Sequence, residues 1–405
     1  MAEDDAMSTR IGRPLIWGLG VPTILLSLTT IVSHSFGRMT YGLLLPAIED
    51  DLGLDHTAAG VAGTAIYLAY LVGVVVVIVL APRVEPITLM KGGLLLAAVG
   101  LALLAGTDSY PMLLVGLALA GGAGAGIWMT APVLATTGVS PDRRGAVIGL
   151  LSASIGLSGF LLGLGTRTMR SAFGDPGLWR PVWIVECVLA LALAAGIMAF
   201  VRFERTEQLD GRFDISSLKK VPGWARITVA YALFGVMSSG FGSFVIAALE
   251  DDGGLSRASA TTVFSVMGLF AALGAPVNGA LSDRFGRPRL MIFTMTVLVV
   301  ACISVALGEG WVVAVGAVLY GSMAGSFPAI LATYVRDHID QRAFSSAFAT
   351  MTLLFSVVVI AVPGAVGALA DRTGQFTVPY LLLALAGVGS LVTVAGLPRT
   401  PPPLS

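Results

Sequence analysis

Arg202-Phe203-Glu204-Arg205-Thr206-Glu207-Gln208-Leu209-Asp210-Gly211-Arg212-Phe213-Asp214-Ile215-Ser216-Ser217-Leu218-Lys219-Lys220 is the one extended polar stretch in a chain of 405 residues. Nine of these residues are charged, and the stretch closes at Pro222-Gly223. On both sides the chain is apolar: 56% of all residues are hydrophobic, 12% are charged, and the mean hydropathy is +0.89. A soluble domain carries about 25% charged residues. Half that charge cannot cover a water-soluble fold of this size, so the soluble classes are excluded. Working outward, apolar runs occupy about 20–48, 58–80, 88–106, 111–137, 146–168 and 181–201 before the stretch. After it they occupy about 226–249, 258–281, 290–308, 311–334, 344–370 and 376–397. A bilayer core of roughly 30 Å takes about 20 apolar residues per helix. The twelve runs therefore predict an all-α polytopic membrane protein with a six-helix bundle in 1–201 and another in 224–405. Residues 202–223 read as a solvated linker, because so short a segment cannot enclose a core of its own.

Basic residues orient the chain. Eighteen of the 24 Lys and Arg fall in segments on the side of the termini and the linker. Five fall on the other side (Arg167, Arg170, Arg180, Arg257 and Arg372), and Arg38 lies within a run. The positive-inside rule then places both termini in the cytoplasm, and shifting the helix count by one would erase the asymmetry. The acidic start (Glu3, Asp4, Asp5) and the long first run predict no cleavable signal peptide. A formal net charge of zero argues against a nucleic-acid partner. Cys187 and Cys302 lie inside apolar runs, so neither a disulfide nor a thiolate metal site is expected, and no cofactor is predicted. A phosphate-binding loop ends in Gly-Lys-Ser/Thr. Lys91, Lys219 and Lys220 are the three lysines and none precedes Ser or Thr, so any transport runs on a gradient or passively.

The halves repeat a local pattern. Pro141-Asp142-Arg143-Arg144-Gly145-Ala146 follows the fourth run and Ile339-Asp340-Gln341-Arg342-Ala343-Phe344 follows the tenth; each carries an Asp with an Arg two residues later. After the eighth run stands Gly279-Ala280-Leu281-Ser282-Asp283-Arg284-Phe285-Gly286-Arg287-Pro288-Arg289-Leu290. This resembles the signature loop of the major facilitator superfamily, Gly-x-Leu-x-Asp-Arg-x-Gly-Arg-Arg, with Pro288 in place of one basic residue. Ser35-Phe36-Gly37-Arg38-Met39-Thr40-Tyr41-Gly42-Leu43-Leu44-Leu45-Pro46, followed by Asp51-Leu52-Gly53-Leu54, resembles the first helix of a poorly characterised bacterial branch.

The resemblance implies two parallel six-helix repeats with helices 1, 4, 7 and 10 around a central cavity. It also implies a cytoplasmic gate of Asp283, Arg284, Gly286 and Arg287, with Asp283 bonding the start of the eleventh helix. Gly279 is expected to permit close helix packing and Gly286 a sharp turn. The chain departs from the family after its second run, where Ala81-Pro82-Arg83-Val84-Glu85-Pro86 has lost the loop pattern. It departs again in the fourth run, where Leu117 stands in place of the Arg often found before a Gly.

Ionisable groups are costly inside a membrane and mark function. Outside the loops there are three: His34, Arg38 and Glu186. His34 falls near mid-depth of the first run, with Arg38 about 6 Å further along at 1.5 Å per residue. On an ideal helix Ser27, His34, Arg38 and Tyr41 share a stripe, opposite Leu25, Val32, Phe36 and Leu43; Thr29 is the exception and can bond its own backbone. The stripe predicts a cavity in which Arg38 binds an anionic solute and His34, the switch residue of physiological pH, carries a proton. Glu186 reads either as a second proton carrier or as a structural partner of Arg167, Arg170 or Arg180. Trp128, Ser238, Tyr320 and Ser326 are further solute-binding candidates. Gly121, Gly122, Gly124 and Gly126 read as packing surfaces, Asn278 as support for the signature loop, and His56 and His338 as solvated loop residues.

The fifth run holds Gly156, Gly159, Gly163 and Gly165 without the proline that family exporters often carry, which favours uptake. The expected function is a monomeric, multi-pass secondary active transporter of the cell membrane. It would move a small organic anion by proton symport, with solute, protons and the lipid bilayer as partners. The alternative is a proton-driven exporter of hydrophobic compounds. A membrane enzyme is not expected, since no nucleophile or carboxylate on the first helix converges on His34.

Overall fold

A computed structural model describes residues 20–137, 139, 141–174, 177–201, 215–339 and 341–398, without the side chains of 141–146, 173, 341, 342 and 345. Most of the linker, the termini and the side chains of the repeated Asp-x-Arg pattern lie outside the described residues. Regular structure among the described residues is helical throughout. The first run is α1 (Val21–His34), a π-helical turn (Ser35–Met39) and α2 (Thr40–Leu52). There follow α3 (His56–Leu80), α4 (Pro86–Ala105), α5 (Tyr110–Thr136), α6 (Pro141–Phe173), α7 (Trp179–Phe200) and the short α8 (Ile215–Lys219). The second half comprises α9 (Trp224–Asp251), α10 (Arg257–Phe285), α11 (Arg287–Leu307), α12 (Trp311–Ala324), α13 (Ser326–Arg336), α14 (Gln341–Val359), α15 (Val362–Thr373) and α16 (Thr377–Ala395). Eleven spans are long and apolar enough to cross a membrane, with α12 and α13 forming one and α14 and α15 another. They correspond to the second through twelfth apolar runs.

The first run is broken where the sequence predicts a continuous helix. Phe36 has ψ 132° and Gly37 has φ 74°, a left-handed conformation that glycine adopts without steric cost. Lipid offers no water to satisfy the freed backbone groups, so protein must do it. Glu186 on α7 does: the Gly37 N–H donates to Oε2 at 3.3 Å and the Thr40 hydroxyl donates to Oε1. The ideal-helix stripe consequently fails at its middle. Ser27 and His34 precede the break, Arg38 stands inside it, and Tyr41 follows it.

Packing follows membrane logic. Large apolar side chains face outward, as at Val72, Val188 and Val392, where lipid replaces water as their solvent. Helix association there depends on small residues that let backbones approach. At Gly124 on α5 a methyl group would sit 2.9 Å from the Ser33 carbonyl, and the Ser33 hydroxyl donates to the Gly124 carbonyl at 3.0 Å. Gly279, expected at such a contact, has open space beside it. Gly286 does make the expected turn, with φ 92°.

The end of the linker is less solvated than its composition suggests. Leu218 and Val221 are buried, and the Tyr334 hydroxyl on α13 donates to the Pro222 carbonyl at 3.0 Å. Two apolar residues within five suffice to anchor this end of the segment to the second half.

Candidate functional site

The break at Gly37 presents Arg38 between helices instead of along one. Its guanidinium lies over the Tyr67 ring at 4.5 Å from the centroid, and Nη2 donates to the Tyr67 hydroxyl at 3.3 Å. Tyr70, one turn further along α3, and Tyr231 on α9 are within electrostatic reach. Among the described residues no carboxylate stands within 4.0 Å of the guanidinium, while Arg38 is half-buried. A cation over an aromatic face is favourable, yet Tyr67 meets only one of the five guanidinium N–H donors. The arrangement leaves a directional fork free for an anion.

His34 sits on the other side of the break. Its ring meets Trp128 edge-on at 4.3 Å between centroids, and Nδ1 is 3.2 Å from the Ser33 hydroxyl. Two sequence candidates, His34 and Trp128, are thus brought together. Across the site Tyr231 stacks on Phe355 of α14 at 4.6 Å. Tyr320 is brought within reach of Tyr67, stacks on Phe241 at 3.5 Å, and has a buried hydroxyl with no hydrogen-bond partner among the described residues.

Other candidates are engaged elsewhere. The Tyr41 hydroxyl donates to the Ala59 carbonyl at 2.7 Å, and Ser27 bonds the Thr23 carbonyl of its own helix at 2.9 Å. Ser238 donates to the Gly235 carbonyl at 3.3 Å. Ser326 accepts from Asn278 at 3.0 Å, so Asn278 ties α10 to α13 and does not brace the signature loop. Glu186 bonds the break and not an arginine. Arg180 is taken by Asp51 and Asp108 at 2.7 and 2.6 Å, and Arg167 by the Thr262 hydroxyl at 2.8 Å.

His56 is no solvated loop residue. It opens α3, bonds Glu49 at 2.8 Å and faces Asp251 of α9 at 3.7 Å. His338 bonds the Tyr334 carbonyl at 2.7 Å. In the signature loop Asp283 pairs with Arg287 at 2.5 Å, and Arg287 also reaches Asp337 at 3.2 Å. No bond from Asp283 to the start of α14, its expected partner, is seen among the described residues; the side chains of Gln341, Arg342 and Ser345 there lie outside them. Sequence reading missed Tyr67, Tyr70, Tyr231 and Phe355. The one available signal was Tyr67-x-x-Tyr70, a pair on one face of α3.

The Major Facilitator Superfamily profile matches residues 26–224 and again 227–405, so the chain belongs to that superfamily. It is a transporter and not an enzyme, a multi-pass protein of the plasma membrane. The chain is 34% identical over 154 residues to the putative uncharacterized transporter YgaY of Escherichia coli; that match covers 38% of each chain. It is 27% identical to a chloramphenicol resistance protein of Streptomyces lividans over 65% of this chain and 67% of that one. Against the hexuronate transporter of Bacillus subtilis the identity is 23% over 92% and 94%. Among solved structures, the nucleoside transporter NupG superposes with a TM-score of 0.74 at 12% identity, covering 92% of this chain and 98% of that one. The fucose:proton symporter FucP of E. coli superposes at 0.64 with 17% identity, covering 93% and 98%. These likenesses show the fold.

Proposed function

We propose that the protein is a proton-coupled symporter that carries a small organic anion by alternating access of one central site. In this reading α1 to α2 form a twelfth crossing, the bundles are 1–201 and 224–405 joined by 202–223, and both termini are cytoplasmic. Arg38 carries the proposal. It is a fixed cation at a helix break, unpaired with any carboxylate within 4.0 Å among the described residues, and half-buried between the two halves. Such a group costs at least ~2.5 kcal/mol in a membrane; a solute carboxylate offsets that cost through a bidentate pair. His34, on the other side of the break, is the proton carrier. Similarity to a hexuronate transporter and to a fucose:proton symporter supports an anionic solute and proton coupling. Similarity to a chloramphenicol resistance protein supports the second reading, export of a hydrophobic compound.

Thermal stabilisation of the purified protein by a panel of small carboxylates, benzoate and glucuronate among them, tests the site. Arg38→Lys keeps the charge but loses the fork, so stabilisation should weaken; Arg38→Ala should abolish it. A folded Arg38→Ala protein that binds the same carboxylates as wild type overturns the assignment. In proteoliposomes His34→Gln should exchange solute while losing its response to an imposed pH gradient. An undiminished response removes His34 from the coupling.

A further inference from the structure

The rings around Arg38 and the near absence of carboxamides in the chain point to one solute class. We infer that the solute is a carboxylate borne on an aromatic body, and not a sugar acid or other polyol; the inference rests on the anion-binding reading of Arg38. The rings come from four helices. Tyr67 lies under the guanidinium at 4.5 Å, with Tyr70 and Tyr231 in electrostatic reach. Tyr231 stacks with Phe355 at 4.6 Å and with Phe348 at 6.2 Å, and Trp128 stands against His34 at 4.3 Å. Phe355, Phe348, Tyr70 and Trp128 are all half-buried, so each keeps accessible surface. Ring faces of this kind accept an aromatic solute in stacked or edge-on geometry, while the Arg38 charge repels a cationic one.

Polyol recognition has a different requirement. Every sugar hydroxyl both donates and accepts, and a buried one left unpaired is strongly penalised. Carboxamide side chains both donate and accept, while carboxylates accept from hydroxyls, and this chain has one Asn and three Gln in 405 residues. Asn278 is spent on Ser326 and on the Gly274 carbonyl at 2.9 Å. Gln208 belongs to the polar stretch and lies outside the described residues, Gln341 opens α14, and Gln375 lies between α15 and α16. Glu186 is occupied by Gly37 and Thr40. The site therefore offers one cation, the His34 imidazole, aromatic faces and a few hydroxyls, including that of Tyr320, which has no partner among the described residues. It suits a ring with a carboxylate and at most a sparing hydroxyl.

The test is ligand-dependent thermal stabilisation of the full chain in detergent with benzoate, 4-hydroxybenzoate, indole-3-acetate, glucuronate and benzyl alcohol. At least one aromatic acid should half-saturate at a concentration about tenfold or more below glucuronate, the scale on which buried unpaired polar groups discriminate. Phe355→Leu should weaken that aromatic acid by about tenfold, while Tyr231→Phe, which keeps the ring, should not. Glucuronate binding as tightly as the best aromatic acid overturns the solute class but leaves the Arg38 assignment standing. Benzyl alcohol matching the acids, with Arg38→Ala unchanged, overturns the anion site itself. Failure of all three aromatic acids to stabilise the protein also overturns the inference. The wild-type comparison needs no variant, so a misfolded Phe355→Leu does not shield it.

Discussion

The two ends of the molecule are built differently. At the end away from the linker, the halves are stitched to each other. Asp371 of α15 accepts from the His56 and Thr57 amides at the start of α3, at 3.2 and 2.7 Å, and from the Thr57 hydroxyl. Arg257 of α10 pairs with Asp50, near the end of α2, and His56 bridges Glu49 and Asp251. Backbones touch there as well: a methyl group on Gly367 would lie 1.9 Å from the His56 carbonyl, and one on Gly60 would lie 2.4 Å from the Pro363 carbonyl. A vestibule of about 480 Å³ opens outside this seam, lined by Glu49, Asp50, His56, Asp251, Arg257 and Asp371. At the linker end, the ion pairs of Arg287 with Asp283 and Asp337 join members of the second half only. Among the described residues, then, one end is closed by a seam between the halves, while at the other the charges pair within one half. In the proposed orientation, with both termini cytoplasmic, the sealed end is the outer one.

The comparison can be broken most forcefully at the glycine contacts. Alanine favours a helix over glycine by roughly 1 kcal/mol, so a Gly→Ala change away from a seam should stabilise. Gly367→Ala and Gly60→Ala should instead prise the outer seam open. The reporter is a cysteine at Ser243, in a background without Cys187 and Cys302, labelled by an impermeant reagent from outside. Labelling should rise about tenfold or more, equivalent to about 1.4 kcal/mol. Unchanged labelling in a well-folded protein would show that these contacts do not hold the seal.

Asp371→Asn should have a middling effect. It keeps the shape but turns charge-assisted bonds to the α3 start into neutral ones, a loss of about 1 kcal/mol. The same reporter should label several times faster, and Asp371→Ala faster still. Equal rates for wild type and Asp371→Ala contradict a role in the seam.

The smallest effect is expected at the linker end. Arg287→Ala removes pairs internal to one half, so Ser243 labelling should stay within the ~0.5 kcal/mol typical of partly exposed ion pairs. A shift as large as that of Asp371→Asn would show that Arg287 also holds the two halves together, in contacts beyond those seen here.

Reading the chain as a membrane transporter needed little beyond composition and a run count, and Arg38 was singled out by its rarity as an embedded charge. The stripe containing it was wrong in detail. A 100° count assumes an unbroken helix, and Gly37 breaks this one because Glu186 is there to receive its amide. His56 was misjudged for a related reason: its carboxylate neighbour Asp251 and its backbone partner Asp371 come from the other half.

What the sequence determined by itself is what adds up locally along the chain: apolar length, charge asymmetry, and the identity of the few embedded ionisable residues. Membrane insertion reads those quantities segment by segment, so a linear scan can read them too. The tertiary structure alone decided who meets whom. Gly37 and Glu186 are 149 positions apart and His56 and Asp371 are 315 apart, and no periodicity in either segment refers to the other. The ring cluster about Arg38 is of the same kind, assembled from helices whose residues become neighbours only when the backbones pack.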